Sequence, residues 1–204
     1  VKGRGKFAHI QKKEVFHLCN IRDNNGKFFK KITPSDLKRY QDAEKRWEKE
    51  KESLPYPKSE IPEGFNTNQM IKHNYKYWYQ MFNPRQLLCL STLLKAIGEE
   101  EDQTLKEMLL SAFFSLQNNV SDFCSYRKTV GALRQVFARH DFPPKNAPCE
   151  NNVWGTSVGM GCFETWIEVI ILGKSFLKTP WDYSKDEKEK LGVRKEKGFR
   201  FEDS

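Results

Sequence analysis

Between residues 126 and 145 the chain carries Arg127, Lys128, Arg134, Arg139 and Lys145 against a single acid, Asp141. Clustered, long-armed cations of this kind suit the phosphates of a nucleic acid. Asn151, Asn152 and Trp154 follow directly. Side-chain amides can read base edges and an indole can stack on a base. The same three residues also suit an Asn-rich turn pinned by a Trp, and both readings stand at this point. Arg139-His140-Asp141 has residue types used by general bases, but without further ligands nearby it makes no site, and His140 reads as a hydrogen-bonding or phosphate-contacting residue. The run Gly155, Gly159, Gly161 lacks the dinucleotide-loop spacing and a clear preceding strand. Close backbone approach is the simpler reading.

Other chemistries lack their residues. There is no P-loop, nucleophile elbow or HExxH. His9, His17, His73 and His140 are scattered. Cys19, Cys89, Cys124, Cys149 and Cys162 are odd in number, and no pair has CxxC spacing. That argues against a disulfide framework or a zinc ribbon within this chain and for reduced thiols. No catalytic residue and no metal ligand is assigned.

The 204 residues carry a net charge of +8, with 30% charged and 38% hydrophobic, including 15 Phe and 5 Trp. Such a chain can bury a core as one domain, or one domain plus an arm. The basic excess favours an anionic partner, nucleic acid first. The longest apolar run, Val169–Leu172, is far too short to span a bilayer. With no signal-peptide pattern at the start, a cytoplasmic chain without a membrane partner is expected. Val1 in place of Met suggests a piece of a longer polypeptide, although processing would explain it equally well.

The elements that must position these residues read as mostly α: a helical domain over 33–178, a β-hairpin lead-in over 1–32 and a charged, partly disordered tail over 179–204. Asp23-Asn24-Asn25-Gly26 marks a turn for a hairpin of about 14–32, with a further strand near Phe7–Ile10. Thr33-Pro34-Ser35-Asp36 starts a helix that should reach about Ser53, with Leu37, Tyr40, Ala43 and Trp47 as its apolar stripe. Pro55, Pro57 and Pro62 make 54–64 an extended linker. The aromatic cluster Tyr75, Tyr77, Trp78, Tyr79, Phe82 suits core packing better than base stacking. Asn83-Pro84 starts a buried, Leu-rich helix ending at Gly98. The best helical periodicity spans 103–124, with a second face of Ser111, Ser115, Asn118, Asn119 and Asp122. Thr129 should cap a helix over about 130–139, with Val130, Leu133, Val136 and Phe137 facing one way and Lys128, Gln135 and Arg139 the other, flanked by Arg127 and Arg134. Cys162–Phe176 reads as a last apolar helix, and Gly198–Glu202 as an outlying strand.

Several segments together resemble the large bacterial and archaeal adenine-specific DNA methylases that contain a zinc ribbon. Trp78 with Met81-Phe82-Asn83-Pro84-Arg85-Gln86-Leu87-Leu88 is similar to their W-x-x-(L/M)-F-x-x-R-Q-L-L segment. Ile32–Asp36 and Ile61–Gly64 are similar to its lead-in. Val136–Pro143 and Glu150–Gly155 resemble the F-x-R-x-x-x-P and E-x-N region. The resemblance runs in order over about 30–178 and gives Arg85 and Gln86 as family-motif positions; they open a buried helix, so Arg85 equally suits the role of a structural ion-pair partner.

It implies a central segment, an insertion within an α/β methyltransferase, where target recognition resides in enzymes of that motif order. The S-adenosylmethionine-binding and catalytic motifs would lie outside this chain, so no cofactor is expected within it. The expectation is a non-catalytic, DNA-binding part of an adenine-specific methyltransferase of the restriction-modification type, partnered by DNA and by the remaining methyltransferase core. Arg127, Lys128, Arg134, Arg139 and Lys145 would hold the backbone, and Asn151, Asn152 and Trp154 would meet bases. The alternative is a scaffold that docks methyltransferase halves or a partner subunit through the 75–82 aromatics and the small-polar helix face, without touching DNA.

Overall fold

Three of the α-helices begin where capping residues place them. This is seen in a computed structural model that describes residues 22–23, 26–27, 31–127, 129, 132–139, 142, 144–145, 148–155, 161–178, 181–182 and 197–198. Helix α1 spans Pro34–Glu50. Thr33 Oγ1 accepts from the Asp36 backbone N–H at 3.3 Å, and Asp36 Oδ2 accepts from Thr33 N–H at 3.0 Å. This reciprocal capping box satisfies donors that the first turn leaves open. A 3-10 turn, Lys51–Ser53, continues it. After the short α2, Asn68–Lys72, comes α3, Pro84–Gly98, which opens on a second capping box. Asn83 Oδ1 accepts from Gln86 N–H and Gln86 Oε1 from Asn83 N–H, both at 3.0 Å. Helix α4, Gln103–Gln117, is capped by Asp102, and α5 spans Phe163–Lys178.

The chain is mostly helical, with small antiparallel pairings. Strands β1, Arg22–Asp23, and β2, Gly26–Lys27, pair Asp23 with Gly26, the register expected of that turn signal. Strands β3, Ser125–Arg127, and β4, Ala132–Arg134, form a second pair. Strands β5, Trp181–Asp182, and β6, Lys197–Gly198, form a third. The rest of the 14–32 hairpin, the Phe7–Ile10 strand and most of the tail expected to be partly disordered lie outside the described residues.

Two expected helices are corrected. The described residues of the span 130–139 form no α-helix: Ala132–Arg134 are β4, followed by a 3-10 turn, Val136–Arg139. An isolated ten-residue helix is marginal because nucleation is costly. A strand pair instead lets Leu133 pack against a core cluster containing Met81, Phe123 and Val136. The 103–124 helix stops at Gln117. Asn118 turns the chain: its carbonyl accepts from Val136 N–H at 3.0 Å and its Oδ1 from Phe137 N–H at 3.1 Å. Val120 and Phe123 are buried all the same, from the turn rather than the helix.

The chain divides into two compact units, Val1–Trp166 and Ile167–Ser204. In the first, three apolar clusters form the core, and Phe82 packs against all three. One lies between α3 and α4 (Leu90, Leu93, Ile97, Phe113, Leu116), one is built on Met70, Met81, Phe123 and Val136, and one joins Trp47 of α1 to Leu87 and Leu88. Tyr75, Trp78, Tyr79 and Phe82 all pack against these clusters, as a core role requires. The proline linker is extended and lies along them: Ile61 N–H donates to Lys76 O at 2.8 Å and Trp78 N–H to Ser59 O at 3.2 Å. In the second unit, Val169, Ile171, Leu172, Phe176 and Leu177 are exposed. Among the described residues no helix is long and apolar enough to cross a membrane.

Candidate nucleic-acid interface

The β3–β4 pair sorts the basic residues by strand alternation. Ser125 faces Arg134, Tyr126 faces Leu133 and Arg127 faces Ala132. Side chains alternate across a strand, so Arg127 and Arg134 share one face, as diagonal neighbours, while Leu133 points to the core. Arg127 is exposed and Arg134 half-buried. Lys145 is half-buried beyond the 3-10 turn that Arg139 closes. Lys128, His140 and Asp141 lie outside the described residues. Among the described side chains the structure thus joins Arg127 and Arg134 on one face.

A second strand edge holds the following loop. Ser125 bridges Pro148, and Cys149 N–H donates to Cys124 O at 3.0 Å. In the loop, Asn151 Nδ2 donates to Gly161 O at 3.2 Å. Asn152 Oδ1 accepts from Trp154 N–H at 2.9 Å and Gly155 N–H at 3.1 Å, an Asx turn. Val153 is buried among α3 and α4 residues. The carbonyls of Val153 and Trp154 accept from Phe163 and Glu164, both at 2.9 Å, and so meet the open N–H groups at the start of α5. Both asparagine side chains therefore fasten the loop. The Trp154 residue is 46% exposed, which leaves indole surface for contact.

The glycines serve packing. Gly161 has φ +74°, and a Cβ there would stand 2.5 Å from Asn119; a Cβ on Gly155 would collide with the Glu164 side chain. Gly159 lies outside the described residues.

The loop is anchored by a polar cluster at the start of α3. Arg85 donates from Nε to Glu150 Oε1 and from Nη2 to Glu150 Oε2, both at 2.8 Å, a bidentate pair across 65 positions of sequence. The Arg85 guanidinium also lies 5.0 Å from the Tyr40 ring centre on α1. Asn83 Nδ2 donates to Glu150 Oε2 at 3.1 Å and to Asp122 Oδ1 at 3.3 Å. Burial works to lower the Arg85 pKa, but the Glu150 contact outweighs it and raises it. Burial first, then the neighbouring Glu150 charge, pushes the Asp122 carboxyl up to about 7 against the opposing Asn83 bond. Burial likewise raises Tyr40, with Glu44, Glu150 and Asp122 adding to it. Burial pushes the Cys124 and Cys149 thiols up to about 11, so neither is a ready nucleophile at neutral pH. Among the described residues no His, Cys, Asp and Glu group could hold a metal ion.

The family-motif residue Gln86 is fully buried; its carbonyl closes the capping box, while its Nε2 has no hydrogen-bond partner among the described residues. Sequence reasoning did not single out Asn83 and Asp122 as a site. Asp122 was visible only as one of a row of small polar residues, and Asn83 only as a cap. Glu150 stood inside the E-x-N resemblance, and that was the usable signal. Together the fold and site define a small helical domain that presents a basic strand pair and a clamped loop. Comparison of the chain with family models, curated proteins and solved structures gives no match.

Proposed function

We propose that this chain is the non-catalytic, DNA-holding central segment of an adenine-specific, S-adenosylmethionine-dependent DNA methyltransferase. The observation that carries DNA contact is the shared face of Arg127 and Arg134 on the β3–β4 pair. Two guanidinium groups on one strand face suit adjacent phosphates. Arg85 and Glu150, which stand in two of the segments that carry the resemblance, form a bidentate pair. In this reading the hairpin cations hold the backbone. Trp154 offers a stacking surface, and Asn151 and Asn152 set the loop rather than read bases. Base extrusion and methyl transfer belong to the methyltransferase core that this segment would partner.

The test is fluorescence anisotropy of a labelled duplex with the chain and with an Arg127→Glu/Arg134→Glu variant at low salt. Binding by the parent chain that weakens at least tenfold in the variant supports the proposal. Equal binding by both, or none by the parent chain, rejects it. The scaffold alternative draws on the exposed apolar side chains of α5, but two of the features first assigned to it are used within the chain: Tyr75, Trp78, Tyr79 and Phe82 pack against the core clusters, and Ser111 and Ser115 bond back to their own helix at 2.9 and 3.0 Å.

A further inference from the structure

Two thiols meet where the 148–155 loop joins β3. Ser125 bridges Pro148 in antiparallel register, so the residue before Ser125 and the residue after Pro148 stand opposite each other. These are Cys124 and Cys149, and the Cys149 N–H donates to the Cys124 carbonyl at 3.0 Å. Residues opposed in an antiparallel pair put their side chains on one face, with Cα atoms about 4.5–5.5 Å apart. That lies inside the span of roughly 4.4–6.8 Å that a disulfide bridges. Both residues are free thiols here. Cys124 is buried in the cluster of Met81, Phe123 and Val136, its Sγ 3.8 Å from the Asn118 carbonyl oxygen, and Cys149 is half-buried.

We propose that Cys124 and Cys149 are a redox-operated fastener: a disulfide between them ties the 148–155 loop covalently to the start of β3 under oxidising conditions, and its reduction releases the loop. The oxidant is a small disulfide of the glutathione kind. Cys149, the more exposed of the two, gives its proton to solvent, attacks one sulfur of the small disulfide and expels one small thiolate. The Cys124 thiolate then attacks the Cys149 sulfur of the mixed disulfide and expels the second. In all, the two protein thiols lose two protons and two electrons, and the small disulfide is reduced to two small thiols. Burial first raises both thiols to about 11, with the Cys149 charge a lesser cause at Cys124 and the Glu150 charge a further cause at Cys149. The pair therefore stays protonated in a reducing setting. The same property makes the two sulfurs poor leaving groups, so the closed bond is slow to reopen. The bond would close a ring of chain running through β3, β4 and the 3-10 turn, and so would constrain the hairpin and the loop together. The fastener is a property of the chain alone and does not depend on DNA contact.

The experiment equilibrates the full chain, without denaturant, in glutathione buffers from fully reduced to fully oxidised, blocks the remaining thiols by alkylation and maps all five cysteines by peptide mass spectrometry. A Cys124–Cys149 cross-link that grows with oxidising poise and disappears on return to the reduced buffer supports the proposal. No such cross-link at the most oxidising poise overturns it, as do glutathione adducts in its place or cross-links that favour Cys19, Cys89 or Cys162. The melting temperature of the cross-linked chain should rise by about 5 °C over the reduced chain. Cys149→Ser should show neither the cross-link nor the rise. A cross-link with no change in melting temperature, or the same rise in Cys149→Ser, overturns the fastening. Should the variant not fold, the reduced and oxidised forms of the unsubstituted chain still give the comparison.

Discussion

At the scale of single residues, Arg85 and Glu150 matter most to the site. Each side chain is about a quarter exposed, so removing one strands a charge in a partly dry setting. Arg85→Ala should cost about 2 kcal/mol, below the value for a fully buried pair. Adding Glu150→Ala should cost much less than a second full loss, and a double-mutant cycle by chemical denaturation reads that coupling. Gly161→Ala should cost about 2 kcal/mol or more, since Ala at φ +74° is strained and its Cβ meets Asn119. Asp122 sets a pH dependence of stability. Its folded pKa, about 7, lies above the unfolded value, so the folded state binds the extra proton. The stabilisation is fully present below about pH 4 and is lost as the pH rises through about 7. Melting temperatures across that window should decline for the parent chain, and the Asp122 share of the decline should vanish in Asp122→Asn. Two of these roles were legible in kind: Arg85, opening a buried helix, suited a structural ion pair, and the Gly155–Gly161 run suited close backbone approach. Their partners were not, because Glu150 is 65 positions from Arg85 and Asn119 meets Gly161 only in the fold.

At the scale of elements, the caps were the most legible feature. Thr33-Pro34 and Asn83-Pro84 start α1 and α3 as the sequence proposes, because these signals are local. Thr33→Ala should cost about 1 kcal/mol. Asn83→Ala should cost more, about 2 kcal/mol, since it also loses its bonds to Asp122 and Glu150. Thermal denaturation of the two variants side by side checks the order. The 130–139 segment was misread for a physical reason. Val130, Leu133, Val136 and Phe137 fit a helical wheel, yet Tyr126 and Leu133 also fit strand alternation, and the short segment left both patterns open. Packing of Leu133 on a non-local cluster decides between them. The early end of α4 has a similar origin, since the Asn118 partners, Val136 and Phe137, are distant in sequence.

At the scale of the whole molecule, the mostly helical class was legible from periodicity and caps. The positive charge was legible too, but not its arrangement. The helical wheel put Lys128, Gln135 and Arg139 together with Arg127 and Arg134 at their flanks, whereas the strand pair sets Arg127 and Arg134 diagonally on one face. That change moves the proposed DNA contact from a helix to a hairpin, and it can be measured. The most direct test follows duplex binding by the whole chain from low to physiological salt, with and without Arg127→Ala/Arg134→Ala. A DNA-facing hairpin predicts a linear fall of log affinity with log salt, and a slope shallower by about 2 in the variant. Identical slopes for the two proteins, or binding that ignores salt, would contradict it.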